Sequence, residues 1–498
     1  MKQKTNRAIP FLLPRLQDIL FIGILLFVCT QGFRLLNGDS DLGRHLTIGN
    51  YVLGNWSVPT HDIFSHTMRG EYLVPHEWLL GVVFALVTRA MGLNGAVLIS
   101  GIVIASSFVF VYRQSLDRGV FRLAALLITA WAVLASFIHW QVRPHIFTFL
   151  FVAVWTSILE QAVNNKKVQV WVLPTIMLIW ANSHGGFFLG FIILGAYFAG
   201  WIWEYWQGQA SKETGIYLVT AGISSFIISF INPAGIHLWI TSAGLISKQF
   251  IIDNTSEYLS PNFHTTSTWP FLMMLIAGIF LLGSSKNKLR IHELFMLLGW
   301  TALSLYMARN IPLYAIVIAP YLGYLLQPVL SQSELLNQIN DAITNVEVGQ
   351  QLRGIVYPVL ATVLIGLAFA SGVRFDLAQK GNQHDPTKFP VDAVNWIKEN
   401  PQEGKMFNEF VWGGYLLYRL WPEHTIYIDG TTDFFGEEFT REYAQVISLQ
   451  PGWQDTLNKY DVSWAILPTG RPLIQALESD LGWQIIYRDN TATIIRKQ

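Results

Sequence analysis

Residues 37–80 read NGDSDLGRHLTIGNYVLGNWSVPTHDIFSHTMRGEYLVPHEWLL. An acidic pair, Asp39 and Asp41, opens the stretch, and Arg44, His45, His61, Asp62, His66, His76 and Glu77 follow. Apolar sequence brackets it. Residues 17–36 run directly before it, and residues 93–113 come soon after, beyond a shorter apolar segment at 79–91. A spanning helix needs about 20 mostly apolar residues. A polar stretch held between such runs therefore reads as the first loop of a membrane protein.

Working outward, the same rule marks about eleven apolar segments. They lie near 17–36, 93–113, 121–139, 146–163, 169–183, 187–206, 216–231, 269–285, 291–308, 311–328 and 353–372. Composition agrees. The 498 residues are 52% hydrophobic and 13% charged, where a soluble domain is about 25% charged. Lys plus Arg and Asp plus Glu are both 33, so there is no basic excess to hold a nucleic acid. A lone cysteine, Cys29, rules out an intrachain disulfide and a cysteine-based metal site.

Loop charge sets the expected orientation, since Lys and Arg favour cytoplasmic loops. The N-terminus, MKQKTNRAIPFLLPRLQ, is basic, and no small-residue cleavage site follows its apolar run, so an uncleaved first helix is expected. Alternation then places residues 113–122, 164–167, Lys212, 286–290 and 331–353 on the cytoplasmic side. Residues 79–91 are short for a span and residues 236–252 are interrupted by polar side chains, so both are expected along the outer interface. Beyond the last span the pattern turns soluble. Strands are expected at 405–410, 425–429, 463–467, 483–488 and 491–496, and helices at 391–399, 437–447, 454–459 and 472–478. The expected fold class is an α-helical polytopic membrane protein, with about 11 transmembrane helices and a C-terminal extracytoplasmic α/β domain. The domain limits are 1–372, including a first outer loop at 37–92, and 373–498. The expected location is the cell membrane, with the N-terminus cytoplasmic.

In this topology the polar residues gather on one face. Arg143 and His145 lie in HWQVRPH, Asn182 and His184 in WANSHGG, and Arg309 and Asn310 in ARNIP. Glu257 and His264 lie in a large outer loop. Charges at span edges are costly and mark functional cavities. A D-x-D pair can share a divalent cation or divide the roles of base and positioner; the sequence fixes no cofactor.

Each signal has a plainer reading. Asp39 and Asp41 also suit helix capping, and Arg143 and Arg309 also suit snorkelling at helix ends. The Gly185–Gly186 pair suits a turn. The spacing of His61, His66, His76 and His264 matches no closed zinc site. Asn55-Trp56-Ser57 and Asn254-Thr255-Ser256 read as glycosylation acceptors only in a secretory-pathway host. Asp429 and Asp433, at glycine-rich strand ends, suit either an acceptor glycan or ordinary turns. No P-loop, dinucleotide fingerprint or serine nucleophile elbow is present.

An acidic pair directly after the first span, followed by in-plane helices before the second, resembles the GT-C superfamily of membrane glycosyltransferases. The resemblance covers the topology of the whole chain and, at motif level, Asp39 to Trp78. It implies a polyprenyl-phosphate-linked sugar donor and a glycan, lipid or protein acceptor at the outer membrane face. It implies Asp39 as base and Asp41 holding the acceptor or a cation. It further implies that Arg143 and Arg309 grip phosphate, since guanidinium pairs bidentately with it, with His145 and His184 in support. Arg44, His45, His61, Asp62, His76, Glu77, Asn182 and Glu257 complete the expected binding set. Two rivals stand beside it. A transporter or flippase for a lipid-linked sugar predicts ionisable residues at the midplane. A non-catalytic envelope glycan assembly protein predicts that Asp39 and Asp41 are dispensable.

Overall fold

A computed structural model describes residues 13–164, 166, 168–244, 249–349, 352, 354, 356–376 and 379–498. The basic N-terminal segment up to residue 12, together with Lys167, Ser247, Lys248 and Arg353, lies outside the described residues. Among those described, six helices are long and apolar enough to cross a membrane: Leu93–Asp117, Arg122–His139, His145–Val163, Gly185–Trp206, Thr266–Ser284 and Ala308–Leu330. Five shorter apolar helices run 10 to 17 residues.

Each of the eleven expected segments holds a helix among the described residues, but only six of those helices are long enough to span on their own. The segment expected at 17–36 turns at Gln31, giving Leu16–Thr30 and Gly32–Leu36. At Gly32 the backbone comes so close to Val97 and Asn382 that a Cβ would collide with both. The segment expected at 169–183 is a ten-residue helix, Val172–Ala181, only about 15 Å long at 1.5 Å per residue. In the stretch expected as an interfacial helix at 236–252, the described residues form Ile236–Gly244 and Gln249–Asn254, and residues 245–248 lie outside the description.

Leu93–Asp117 is the hub of the bundle. It packs against Leu16–Thr30, His145–Val163 and Ile311–Leu330, and Val97, Ile104, Phe108 and Val111 on it are fully buried. Large apolar side chains such as Leu127, Ile279, Phe280, Leu298 and Leu367 face outward. That inversion of the soluble pattern suits lipid as the solvent.

The C-terminal part carries a four-stranded sheet of β1 (Lys405–Asn408), β2 (Val462–Pro468), β3 (Gln484–Arg488) and β4 (Ala492–Arg496), in the order β1-β2-β4-β3. β1 and β2 are parallel and the other pairs antiparallel. The strand expected at 425–429 does not form. Its backbone is bound elsewhere: the Asn408 side chain accepts from Tyr427 N–H at 2.8 Å and donates to the Ile428 carbonyl at 2.9 Å. Ile426 instead makes an isolated bridge to Ser65 in the first loop. The helix expected at 437–447 begins earlier, at Thr432, and bends at Gly436, whose φ is +78°.

The first loop forms two helices, Asp41–Asn55 and Trp78–Met91. They pack closely because Gly81 brings its backbone against the other helix; a Cβ there would stand 2.9 Å from the His45 carbonyl. The other side of Asp41–Asn55 packs on Gly413–Leu420. Ile48, Phe64 and Leu73 of the loop share one apolar core with Tyr415, Leu416, Ile426 and Ile466. The first loop is thereby clamped between bundle and sheet.

Candidate active site

Helix Asp41–Asn55 starts directly after the first apolar helices, so its N-terminus lies at the end of the bundle. Asp39 Oδ1 accepts the Asp41 N–H at 2.9 Å, which fixes the two carboxylates side by side. Arg143, in the turn before His145–Val163, bridges them. Its Nη1 lies 3.0 Å from Asp39 Oδ2 and its Nη2 lies 2.7 Å from Asp41 Oδ2. Glu257 joins from the large loop at 3.6 Å from Arg143 Nη1, and Arg309 Nη1 lies 3.4 Å from Glu257 Oε1. His139 Nε2 lies 3.7 Å from Glu257 Oε2. Tyr258 stacks under the Arg309 guanidinium at 4.7 Å. Four separate chain segments thus deliver three carboxylates and two arginines to one place, each 20–28% exposed.

The carboxylates are not equivalent. Burial raises the Asp41 carboxyl; Arg143 opposes that, Asp39 adds to it, and the result is about 7. Burial also acts to raise Glu257, but Arg143 and Arg309 outweigh it and hold it at about 2. Asp41 is therefore the member of this cluster able to take and give a proton near neutrality.

A second cluster adjoins the first. Glu77 is faced by His45 Nε2 at 3.3 Å, His184 Nε2 at 3.6 Å and His76 Nε2 at 3.9 Å. Burial pushes His45 down to about 4 and His184 to about 3, so both imidazoles are neutral at pH 7. His184 Nδ1 accepts the Gly186 N–H at 3.0 Å, which leaves its Nε2 protonated and directed at Glu77.

Several expected binding residues have other employment. Arg44 is buried and ion-paired with Asp429, so its charge is already neutralised. Asp62, 1% exposed, accepts the Phe64 and Ser65 N–H groups at 3.2 and 3.0 Å and holds a turn. Asn182 receives the Trp78 indole N–H at 2.9 Å and donates to the Leu178 and Ile231 carbonyls, which ties three segments together. His61 is exposed and sits edge-on to Tyr72, apart from both clusters. His145 is buried with its Nε2 3.1 Å from the His139 carbonyl, behind Arg143 rather than beside the carboxylates. Sequence reasoning missed Tyr258 and Tyr72; an aromatic beside an arginine or glutamate in a loop was the only signal available.

A divalent cation prefers several carboxylate oxygens, and Asp39, Asp41 and Glu257 supply them. The Arg143 guanidinium occupies the space between the three, so an ion would have to displace it. Elsewhere among the described residues, Glu160, His292 and Glu293 converge closely enough to hold an ion, but Arg118 pairs with both carboxylates.

No protein-family model matches this sequence, and no curated protein sequence matches it either. Solved structures do. The Archaeoglobus fulgidus oligosaccharyltransferase in its apo form aligns with a TM-score of 0.62 and 11% identity, over 93% of this chain and 70% of that one. The chain shares the fold of that solved structure. The same A. fulgidus enzyme, AglB, in complex with an inhibitory peptide and a dolichol-phosphate gives 0.57 and 13% identity, over 91% and 69%. The mycobacterial arabinofuranosyltransferase AftD gives 0.55 and 12% identity, over 96% of this chain and 41% of that one. At such identities the likeness shows the fold alone, and the chemistry rests on the residues above.

Proposed function

We propose that this chain is a membrane glycosyltransferase that moves a sugar from a polyprenyl-phosphate donor to an acceptor hydroxyl. The observation that carries this reading is the bridge from Arg143 to Asp39 and Asp41 at the bundle end, with Glu257 and Arg309 beside it. In the proposed reaction the acceptor oxygen attacks the anomeric carbon of the donor sugar. The bond from that carbon to the phosphate oxygen breaks, and the phosphate leaves with the electron pair. The acceptor proton passes to a carboxylate. Arg143 and Arg309 meet the departing phosphate as guanidinium forks.

Position along the chain favours Asp39 as base; environment favours Asp41. Asp39 is held twice, by the Asp41 N–H and by Arg143. Asp41 titrates near neutrality, the range in which a general base works best. We therefore assign the base to Asp41 and the alignment of Arg143 to Asp39. We place the cluster on the extracytoplasmic side, with residues 1–372 as the membrane domain and 373–498 as an extracytoplasmic domain, on the strength of loop charge.

The test is direct. Purified full-length protein is incubated with a panel of polyprenyl-phosphate sugars, and the products are read by mass spectrometry. Release of polyprenyl phosphate that disappears in Asp41→Asn supports the reading. Donors left intact by a well-folded protein, or consumed equally by the variant, would overturn it.

A further inference from the structure

A cavity of about 140 Å³ opens beside Arg44 and His45, one helical turn along from Asp41. Its walls come from the first loop, from Thr241 and from the C-terminal part of the chain; none of the six long apolar helices contributes. Its lining combines two kinds of side chain. Tyr72, Trp78 and Phe434 supply aromatic rings, while Glu77, Asp433 and Thr431 supply polar oxygens.

We infer that this pocket binds one sugar ring of the acceptor, so that the acceptor is a glycan; the inference rests on the glycosyltransferase reading above. Three features lead there. A sugar ring has an apolar C–H face and a rim of hydroxyls, which matches aromatic faces set against carboxylates. The ionised Glu77 carboxylate repels phosphorylated or sulfated acceptors. Arg44 also lines the pocket, but its pairing with Asp429 leaves no cationic excess to attract an anion.

The pocket is also positioned and pre-formed. Thr431 follows Gly430, and Gly430 lies so close to Asp41 that a Cβ there would strike its carboxylate. A ring seated here presents a hydroxyl to Asp41. The Tyr72 ring is held by His237 at 4.9 Å between centroids, although Tyr72 itself is 41% exposed. The donor sugar, tethered to its lipid, has to approach from the apolar bundle. The absence of long apolar helices from the walls therefore assigns the pocket to the acceptor.

The full-length protein in lipid nanodiscs tests this in two arms. In the first, neutral methyl glycosides, covering common pyranoses and furanoses, are titrated and binding is read by ligand-observed magnetic resonance. At least one should bind, and Tyr72→Ala should weaken it about tenfold, the scale of a lost aromatic contact, with Tyr72→Phe restoring it. A panel that binds no better to the native protein than to Tyr72→Ala overturns the proposal. In the second arm, donor turnover is followed with oligosaccharide, peptide and phospholipid acceptors. Transfer to oligosaccharide, with acceptor KM raised and kcat retained in Tyr72→Ala, supports it. Transfer confined to peptide or phospholipid overturns the acceptor class alone. Donor left intact under every condition overturns the glycosyltransferase reading itself.

Discussion

Helix His145–Val163 carries ionic groups at both of its ends, and the two ends are built on opposite plans. Near its C-terminus Glu160 lies 2.7 Å from Arg118 Nη2, accepts the Tyr197 hydroxyl at 2.7 Å and faces His292 at 3.3 Å. Arg118 also pairs with Glu293, and the neighbouring Arg290 pairs with Glu204. Side chains of the Arg118–Glu160–Glu293 trio are only 3–13% exposed. Arg118, Arg290, Glu160, Glu204 and Glu293 each have a partner of opposite charge. Near the N-terminus three carboxylates share two arginines, Glu257 reaches its partners only at 3.4–3.7 Å, and Asp41 sits near neutrality. A saturated knot holds helices together. An unsaturated one, open to solvent and with a shifted acid, is arranged for a ligand. Loss of one group should therefore hurt folding at one end and reaction at the other.

The largest effect is expected at the open end. Asp41→Asn should lower kcat by about 10²–10⁴, the usual contribution of a general base, while the melting temperature in detergent stays put. A variant that keeps native turnover would break the functional half of the contrast. Next comes the saturated end. Arg118→Met leaves Glu160 and Glu293 buried without their cation and should cost about 3–5 kcal/mol of stability. Thermal unfolding measures it; turnover per folded molecule should be retained. An unchanged melting temperature would show that the knot is not structural. Third, Asp429→Asn deprives buried Arg44 of its anion and should cost about 1–3 kcal/mol. Because Arg44 lies one helical turn from Asp41, it should also lower turnover, and a stability loss with native turnover would detach the C-terminal region from the site.

The same contrast marks how far the sequence could be read. Asp39, Asp41, Arg143 and Arg309 were legible because a charge at the end of an apolar segment has few harmless explanations. Their meeting required only that the loops share a face. The Arg44–Asp429 pair, 385 residues apart, was beyond reach, because nothing local says which buried arginine meets which distant aspartate. Asn182 looked like a ligand group for the same reason that Arg143 did; only the placement of Trp78 and the Leu178 and Ile231 carbonyls shows its amide to be fully used. Residues 425–429 have the apolar pattern of a strand, yet the Asn408 side chain takes the backbone groups a neighbouring strand would have paired. All eleven expected segments form helices, and the break at Gly32, where the backbone meets Val97 and Asn382, is a packing feature that hydropathy does not register.

The smallest predicted effect is the most discriminating, because it separates the two aspartates. With Asp41 as base, only the ionised carboxylate is active, so kcat/KM should rise with pH and level off above about 7. Burial is the main cause of that high value, and the negative charge of Asp39 adds to it while Arg143 opposes it. Asp39→Asn removes a neighbouring negative charge and makes ionisation of Asp41 easier. The acidic limb should then move to lower pH, and activity at pH 6 should fall off less steeply than in the native protein. A profile over about pH 5 to 9 reads this out. If Asp39 were the base, the variant would lose activity at every pH, and no limb would remain to shift. If the limb stayed in place, Asp41 would not sense Asp39 across the Arg143 bridge. The open end would then behave as a saturated one.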